Sequence, residues 1–284
     1  MATYKGIKGF SIQNLSADPS DSVEGQFWYN STSNVWKVTD ASTTTSWATG
    51  GSLVTARRQL TGTGTQTAAL GFGGRNPPTT ALGTTEEYDG SAWTSSNPLN
   101  TARQSLIGAG TQTAGLAFGG LSPAIPGVTG ATEQYDGNSW VTSNPLNTAR
   151  QELGGAGTQT AGLAFGGTPP ATGATEEYDG TSWATSPGSL NTARTGLGGT
   201  GTQTAALGFG GGVTVNLGAT EEYNGSTWTT SPASLSTARN SLAGSGTQTA
   251  ALAFGGSPDG TSVVASTEEF TITGTAGIKT VTVS

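Results

Sequence analysis

One eleven-residue block occurs five times in this chain, and its spacing restricts the fold more than any other feature. GTQTAALGFGG starts at Gly64, returns as GTQTAGLAFGG at Gly110 and Gly157, as GTQTAALGFGG at Gly201, and as GTQTAALAFGG at Gly246. The steps are 46, 47, 44 and 45 residues. A second block follows each copy: TEEYDGSAW from Thr85, TEQYDGNSW from Thr132, TEEYDGTSW from Thr175, TEEYNGSTW from Thr220 and a shortened TEEF from Thr267. A third, Thr-Ala-Arg, precedes each copy and ends at Arg57, Arg103, Arg150, Arg194 and Arg239. Self-similarity at this period marks an array of supersecondary units, none of which can bury its own faces alone.

Each unit reads as four short strands. In the second copy, strand a covers Ser105 to Ala109 and a GTQT turn leads to strand b, Ala114 to Phe118, which ends in Gly119-Gly120. A variable loop leads to strand c, Thr132 to Tyr135, and the Asp136-Gly137 turn leads to strand d around Trp140. Asp89-Gly90, Asp179-Gly180 and Asn224-Gly225 repeat that turn signal. Asp-Gly and Asn-Gly favour positive φ and suit two-residue hairpins. Alternation puts Leu116 and Phe118 on one face of strand b. A lone small sheet leaves both faces wet, whereas copies stacked around an axis cover them and protect the edges. The expected fold is therefore all-β: a five-bladed β-propeller with four antiparallel strands per blade.

Composition agrees and removes several function classes. The 46 glycines fall in the repeats rather than at random, and only 10% of residues are charged. The net charge of −7 opposes phosphate binding, so no nucleic-acid partner is expected. With no cysteine and no histidine, the chain lacks disulfides, thiolate metal sites and the commonest general base. Met1 to Phe10 holds no apolar core of a secretory signal. No run approaches the roughly 18 apolar residues of a membrane helix, so no membrane partner is expected.

The order Arg, apolar strand, Gly-Gly, Glu-x-Tyr-Asp, Trp resembles the kelch motif over about residues 47 to 272. That resemblance implies one propeller blade per repeat. Five blades is fewer than kelch propellers usually have. The fifth copy has no Trp after Phe270, while Trp47 precedes Arg57 by the same ten residues that separate Trp93 from Arg103. The expectation is that the N-terminal strand at Trp47 pairs with the C-terminal blade and closes the ring. Thr280 to Val283 is the competing outer strand.

Most charge sits at repeated positions. Arg57, Arg103, Arg150, Arg194 and Arg239 recur with Glu86, Glu133, Glu176, Glu221 and Glu268. The expected role is a structural network of Arg–Glu pairs, because a buried charge must be paired. The alternative, a ring of carboxylates around a cation, lacks any aspartate-rich calcium pattern, and neither metal nor cofactor is expected. The recurring Trp and Tyr residues are expected to fill cores between blades rather than to stack on sugars. Adjacent carboxylates such as Glu86-Glu87 point to opposite faces of a strand, so they do not form a glycosidase pair. No enzymatic activity is expected.

In such a meander the a–b and c–d turns share one face of the disc, and the b–c and d–a connections share the other. The first face is nearly identical in all copies, while the b–c loops differ in length and content. Loops on a rigid scaffold carry recognition. Arg75, Asn76, Ile125, Val213, Asn216 and Asp259 are therefore the candidate binding residues, against the reading that these loops are simply unconstrained.

Residues 1–46 do not repeat and are expected to form an attachment segment, with residues 47–284 forming the propeller. GQFWYN and NVWKV flank a polar Ser-Thr-Ser, which predicts a hairpin from Gln26 to Val38. The run PSDSVEGQFWYNSTSNVWKV resembles short N-terminal modules of bacteriophage tail-fibre and other virion proteins. The resemblance implies a virion structural protein, made in the host cytoplasm, whose Phe27, Trp28, Tyr29 and Trp36 dock to other virion subunits. The propeller would then point outward, with a host-surface glycan as a second expected partner. A free-standing lectin or kelch-type interaction module is the alternative.

Overall fold

The computed structural model describes residues 13–17, 27–33, 35–38, 50–76, 81–124 and 127–271. Every regular element among them is a β-strand. The chain divides into two compact units, residues 1–49 and 50–284.

In the first unit, β1 (Gln13–Leu15) runs parallel to β2 (Phe27–Asn30), and β2 forms an antiparallel hairpin with β3 (Val35–Val38). The expected hairpin is present, with Tyr29 opposite Trp36 and Trp28 opposite Lys37. Asn30 shapes its turn: the side-chain Oδ1 accepts the amides of Thr32 and Ser33 at 3.1 and 3.0 Å. The parallel β1 left no periodic signal, because three residues are too few to show alternation.

Among the described residues the second unit holds five antiparallel blade sheets and one two-stranded loop hairpin. Blade 1 contains β4 (Thr61–Thr65), β5 (Ala68–Phe72), β6 (Thr85–Tyr88) and β7 (Trp93–Ser96). Blade 2 contains β8 (Ile107–Gly110) and β9 (Gly115–Phe118), then a loop hairpin of β10 (Leu121–Ser122) and β11 (Gly127–Val128), then β12 (Thr132–Tyr135) and β13 (Trp140–Ser143). Blade 3 contains β14 (Gly154–Gly157), β15 (Gly162–Phe165), β16 (Thr175–Tyr178) and β17 (Trp183–Thr185). Blade 4 contains β18 (Gly198–Gly201), β19 (Ala206–Phe209), β20 (Ala219–Tyr223) and β21 (Trp228–Ser234). Blade 5 contains β22 (Ala243–Gly246), β23 (Ala250–Phe254) and β24 (Thr267–Thr271). The first strands of all five blades line one central cavity of about 830 Å³. This is a five-bladed β-propeller.

Hydrophobic cores lie between blades, as the repeat logic requires. Leu70 and Phe72 of blade 1 pack with Leu106, Ala117, Tyr135 and Trp140 of blade 2. Equivalent clusters join blades 2 and 3, 3 and 4, and 4 and 5. Small inner-strand residues make this possible. A Cβ on Gly199 would stand 2.6 Å from Phe165 Cζ, so any larger side chain there would push the neighbouring blade away.

The Asp-Gly turns differ from the two-residue hairpin expected. Tyr135 pairs with Trp140, so Asp136 to Ser139 all lie in the loop. Only Gly137 has positive φ, at 91°. The Asp136 carboxylate Oδ1 accepts the amides of Asn138 and Ser139 at 2.9 and 2.7 Å, which stabilises the longer loop. The expected closing strand at Trp47 and its rival at Thr280 to Val283 both lie outside the described residues.

Candidate functional site

The repeated Arg and Glu form five ion pairs, each within one blade. The Arg Nη2 to Glu Oε1 distances are 3.1 Å for Arg57–Glu86 and Arg103–Glu133. They are 2.8 Å for Arg150–Glu176 and Arg194–Glu221, and 3.0 Å for Arg239–Glu268. The guanidinium also ties neighbouring backbone. Arg150 Nη1 donates to the carbonyls of Gly166 and Ala174, both at 2.8 Å. The other carboxylate oxygen holds the link that enters the blade: the Asn147 amide donates to Glu176 Oε2 at 2.7 Å and the Asn191 amide to Glu221 Oε2 at 2.6 Å. Each pair is thus a clamp that fixes a loop to a sheet. Burial lowers the Arg103 guanidinium to about 10, against the opposing pull of Glu133. Burial also lowers Arg57, Arg150 and Arg194, again opposed by their glutamates.

A second network crosses between blades. Trp140, Trp183 and Trp228 Nε1 each donate to a threonine Oγ1 of the preceding blade, Thr85, Thr132 and Thr175, at 2.9 Å. Tyr223 meets Ser186 Oγ at 2.7 Å and donates to Glu177, and Tyr135 meets Ser96 and Glu87 in the same way. Burial raises both phenols to about 12, reinforced by Glu177 and Glu87. Sequence reasoning read GTQT as a turn and missed its glutamine. Gln112 Nε2 donates to Ala69 O and Tyr88 O of blade 1, and Gln159, Gln203 and Gln248 repeat this on later blades. The signal was available: a solvent-facing turn does not need the same Gln in every copy.

Blade 5 carries a small slot of about 80 Å³ where the other blades hold their tryptophan. Phe209, Thr220 and Ala253 line it, in the positions that Phe165, Thr175 and Gly208 occupy around Trp228.

The six loop candidates divide by use. Asn216 Nδ2 donates to Ser257 O at 2.9 Å, pinning one b–c loop to the next. Asp259 folds its own loop: Oδ1 accepts the amides of Thr261 and Ser262 at 2.8 and 2.6 Å. These bonds, with the Ser262 hydroxyl, hold its carboxyl well below the usual carboxylate range. Arg75 makes backbone bridges to Arg58 and Ala81 and is half-buried. Asn76 is exposed, and Ile125 lies outside the described residues. Val213 is 61% exposed, and its loop neighbour Val215 and Val263 of blade 5 are more so. Among the described residues the exposed large apolar side chains of these loops, Val213, Val215 and Val263, lie in blades 4 and 5, beside exposed polar residues such as Asp259 and Thr261. Among the described residues no group of three or more acidic side chains is placed to hold a metal. Phe27, Trp28 and Trp36 have their backbones in the hairpin strands, and Tyr29 is half-buried.

No protein-family model and no curated protein matches the chain. Solved structures do match, among them one described as "Structure of YjhT", with a TM-score of 0.65. It is 13% identical, and the match covers 76% of this chain and 82% of that one. That likeness is one of fold, a β-propeller.

Proposed function

We propose that this protein is a non-enzymatic structural component of a bacteriophage particle, a tail appendage or a capsid-surface protein, that presents its propeller as a rigid display or adhesion module. The observation that carries this reading is how the propeller uses its charge. The repeated arginines and the first glutamate of each block are clamped to one another inside the blades. Glu87 and Glu177 are bound to tyrosines of the following blade. Groups held this way build a stiff frame and are poorly placed to move protons for a substrate. The N-terminal hairpin, with the sequence likeness to virion modules described above, supplies the attachment end of the reading.

In this reading residues 1–46 dock to neighbouring virion subunits, and the b–c loops face outward toward a host-surface glycan. Particle assembly with a chain lacking residues 1–46 tests it. Incorporation should fall to background while the isolated propeller still folds; unchanged incorporation overturns the docking role. The second reading is a free-standing glycan lectin or kelch-type interaction module; the exposed Val213, Val215 and Val263 favour its protein-interaction form. Binding of the purified chain to a glycan array or a soluble protein, with no association to particles, would select it.

A further inference from the structure

Blades 1 to 4 close their c–d turns with the same four-residue loop, whose first residue is Asp89, Asp136 or Asp179 in blades 1 to 3 and Asn224 in blade 4. Glycine follows each, and Asn224-Gly225 is the one Asn-Gly pair in the chain. Asn224 is exposed. The donors of its loop converge on one atom: Oδ1 accepts the amides of Ser226 and Thr227 at 3.0 and 2.9 Å, and their hydroxyls at 3.0 and 3.3 Å. Among the described residues the Gly225 amide donates no hydrogen bond. Gly225 takes φ of 90°, and it has no side chain to cover its nitrogen.

These are the parts of a self-modifying site. The backbone nitrogen that follows an asparagine can close a five-membered ring on the carboxamide carbon. The Gly225 nitrogen forms a bond to Asn224 Cγ and gives its proton to solvent. Negative charge develops on Oδ1, at which two amides and two hydroxyls already point, and donors aimed at a developing oxyanion lower the barrier. The Cγ–Nδ2 bond then breaks, and Nδ2 takes up a proton and leaves as ammonia. Water opens the cyclic imide at one of its two carbonyls and leaves aspartate or isoaspartate in place of Asn224. No electron is transferred, and water is the only co-reactant.

We propose that Asn224 is a built-in deamidation site, and that its turn speeds the conversion by holding the oxygen on which charge develops. The three sister turns aim the same backbone donors at a group that cannot react in this way. The Ala92 amide, with the Ser91 hydroxyl and amide, lowers the Asp89 carboxyl to about 2, and the Ser139 and Ser182 amides lead the same effect at Asp136 and Asp179. These carboxylates are ionised at neutral pH, so they repel a nucleophile and have no neutral leaving group. Conversion of Asn224 to aspartate gives blade 4 the turn of blades 1 to 3 and adds one negative charge to that face. Conversion to isoaspartate puts an extra main-chain carbon between Tyr223 and Trp228, which pair directly at the foot of the loop, and so disturbs the strand that carries Trp228. Either product is a slow, one-way change confined to one blade.

Peptide mass spectrometry on the full chain, held folded in mildly alkaline buffer and digested at intervals, tests this. Asn216 is the internal control: it lies between the same two arginines, Arg194 and Arg239, but Leu217 follows it and its Nδ2 is bonded to Ser257 O. The acid form should accumulate at Asn224 at least about ten-fold faster than at Asn216. Ser226→Ala removes one hydroxyl donor at an exposed position and keeps both amides. It should slow the reaction at Asn224 about two- to ten-fold in the folded chain and leave the rate in urea unchanged. No conversion at Asn224, or conversion no faster than at Asn216, overturns the site. A rate in folded Ser226→Ala equal to or above that of the unaltered chain overturns the part given to the turn.

Discussion

The indole of Trp228 and the hydroxyl of Thr175 meet across a blade boundary, with Nε1 donating to Oγ1 at 2.9 Å. The same indole packs on Phe165 of the preceding blade, ring centroids 4.7 Å apart, and on Tyr223 of its own blade at 5.0 Å. One side chain therefore reports on two sheets at once. Its removal tests the idea that stability resides in the seams rather than in the sheets.

Trp228→Phe keeps most of the ring stacking but leaves the buried Thr175 hydroxyl without its donor. The expected cost is about 1–3 kcal/mol. Trp228→Ala also opens a cavity and should cost about 3–5 kcal/mol. Urea midpoints measured on both variants check this. Equal losses for the two would mean that the hydrogen bond, not the packing, dominates the seam.

The Arg–Glu clamps predict a graded series. Glu176 is almost fully buried, so Glu176→Gln leaves the Arg150 charge uncompensated and should destabilise by about 3–5 kcal/mol. Glu268 makes the same pair with Arg239 but its side chain is 23% exposed. Water already screens this partly exposed carboxylate from the buried Arg239, so less attraction is lost and Glu268→Gln should cost clearly less. Denaturant unfolding of the two variants side by side decides the matter, and a larger loss at Glu268 would contradict the ranking.

The blades were legible in the sequence because their chemistry repeats. Leu116 and Phe118 alternate, Gly119-Gly120 ends the strand, and Trp140 returns at a fixed distance, so five copies averaged away local ambiguity. That the repeated arginines pair with the repeated glutamates was legible for the same reason, but not that Arg150 takes Glu176 of its own blade. The direction of the inter-blade bonds was not. Gln159 reaches Tyr135 O, 24 residues back and in another sheet, and nothing local distinguishes that from a solvated turn. The left-handed backbone at Gln59, Ser105 and Glu152 was equally hidden, because only blade 4 uses the glycine that would have announced it, Gly196. Among the candidate binding residues, Asn216 and Asp259 lie on variable loops, where sequence alone does not separate recognition from loop folding. Their polarity turns out to serve the loops themselves.

The buried tyrosines set an alkaline limit. Tyr135 holds its proton up to about 12 in the folded chain, while an unfolded tyrosine releases it near the ordinary 10.0. Between those values the unfolded state binds fewer protons, so the contribution is intact below 10.0 and is lost as pH rises to about 12. Arg103, lowered from 12.5 to about 10, works in the opposite direction over the same range. The informative quantity is therefore the difference between the unaltered chain and Tyr135→Phe. That difference should shrink steadily above pH 10.0, and an absorbance titration should show one fewer late-ionising phenol in the variant.

At the acid end the turn aspartates govern. Asp89 Oδ1 accepts the amides of Ser91 and Ala92, both at 2.8 Å, and these bonds with the Ser91 hydroxyl lower its carboxyl from 3.8 to about 2. Asp136 and Asp179 are lowered by the same kind of backbone bonds in blades 2 and 3. A carboxylate lowered on folding stabilises the native state above its unfolded value and loses that contribution as pH falls toward its folded one. Stability should therefore decline from about pH 4 toward pH 2. Blade 4 shows how to remove this dependence. Asn224 occupies the same turn position, and its carboxamide oxygen accepts the Ser226 and Thr227 amides at 3.0 and 2.9 Å without any charge to titrate. The triple variant Asp89→Asn, Asp136→Asn, Asp179→Asn should keep the turns and flatten the acid limb, while its stability at neutral pH changes little. Thermal unfolding followed from pH 7 to pH 2 measures both. An acid limb as steep in the variant as in the unaltered chain would place the titration elsewhere and remove the turns from the explanation.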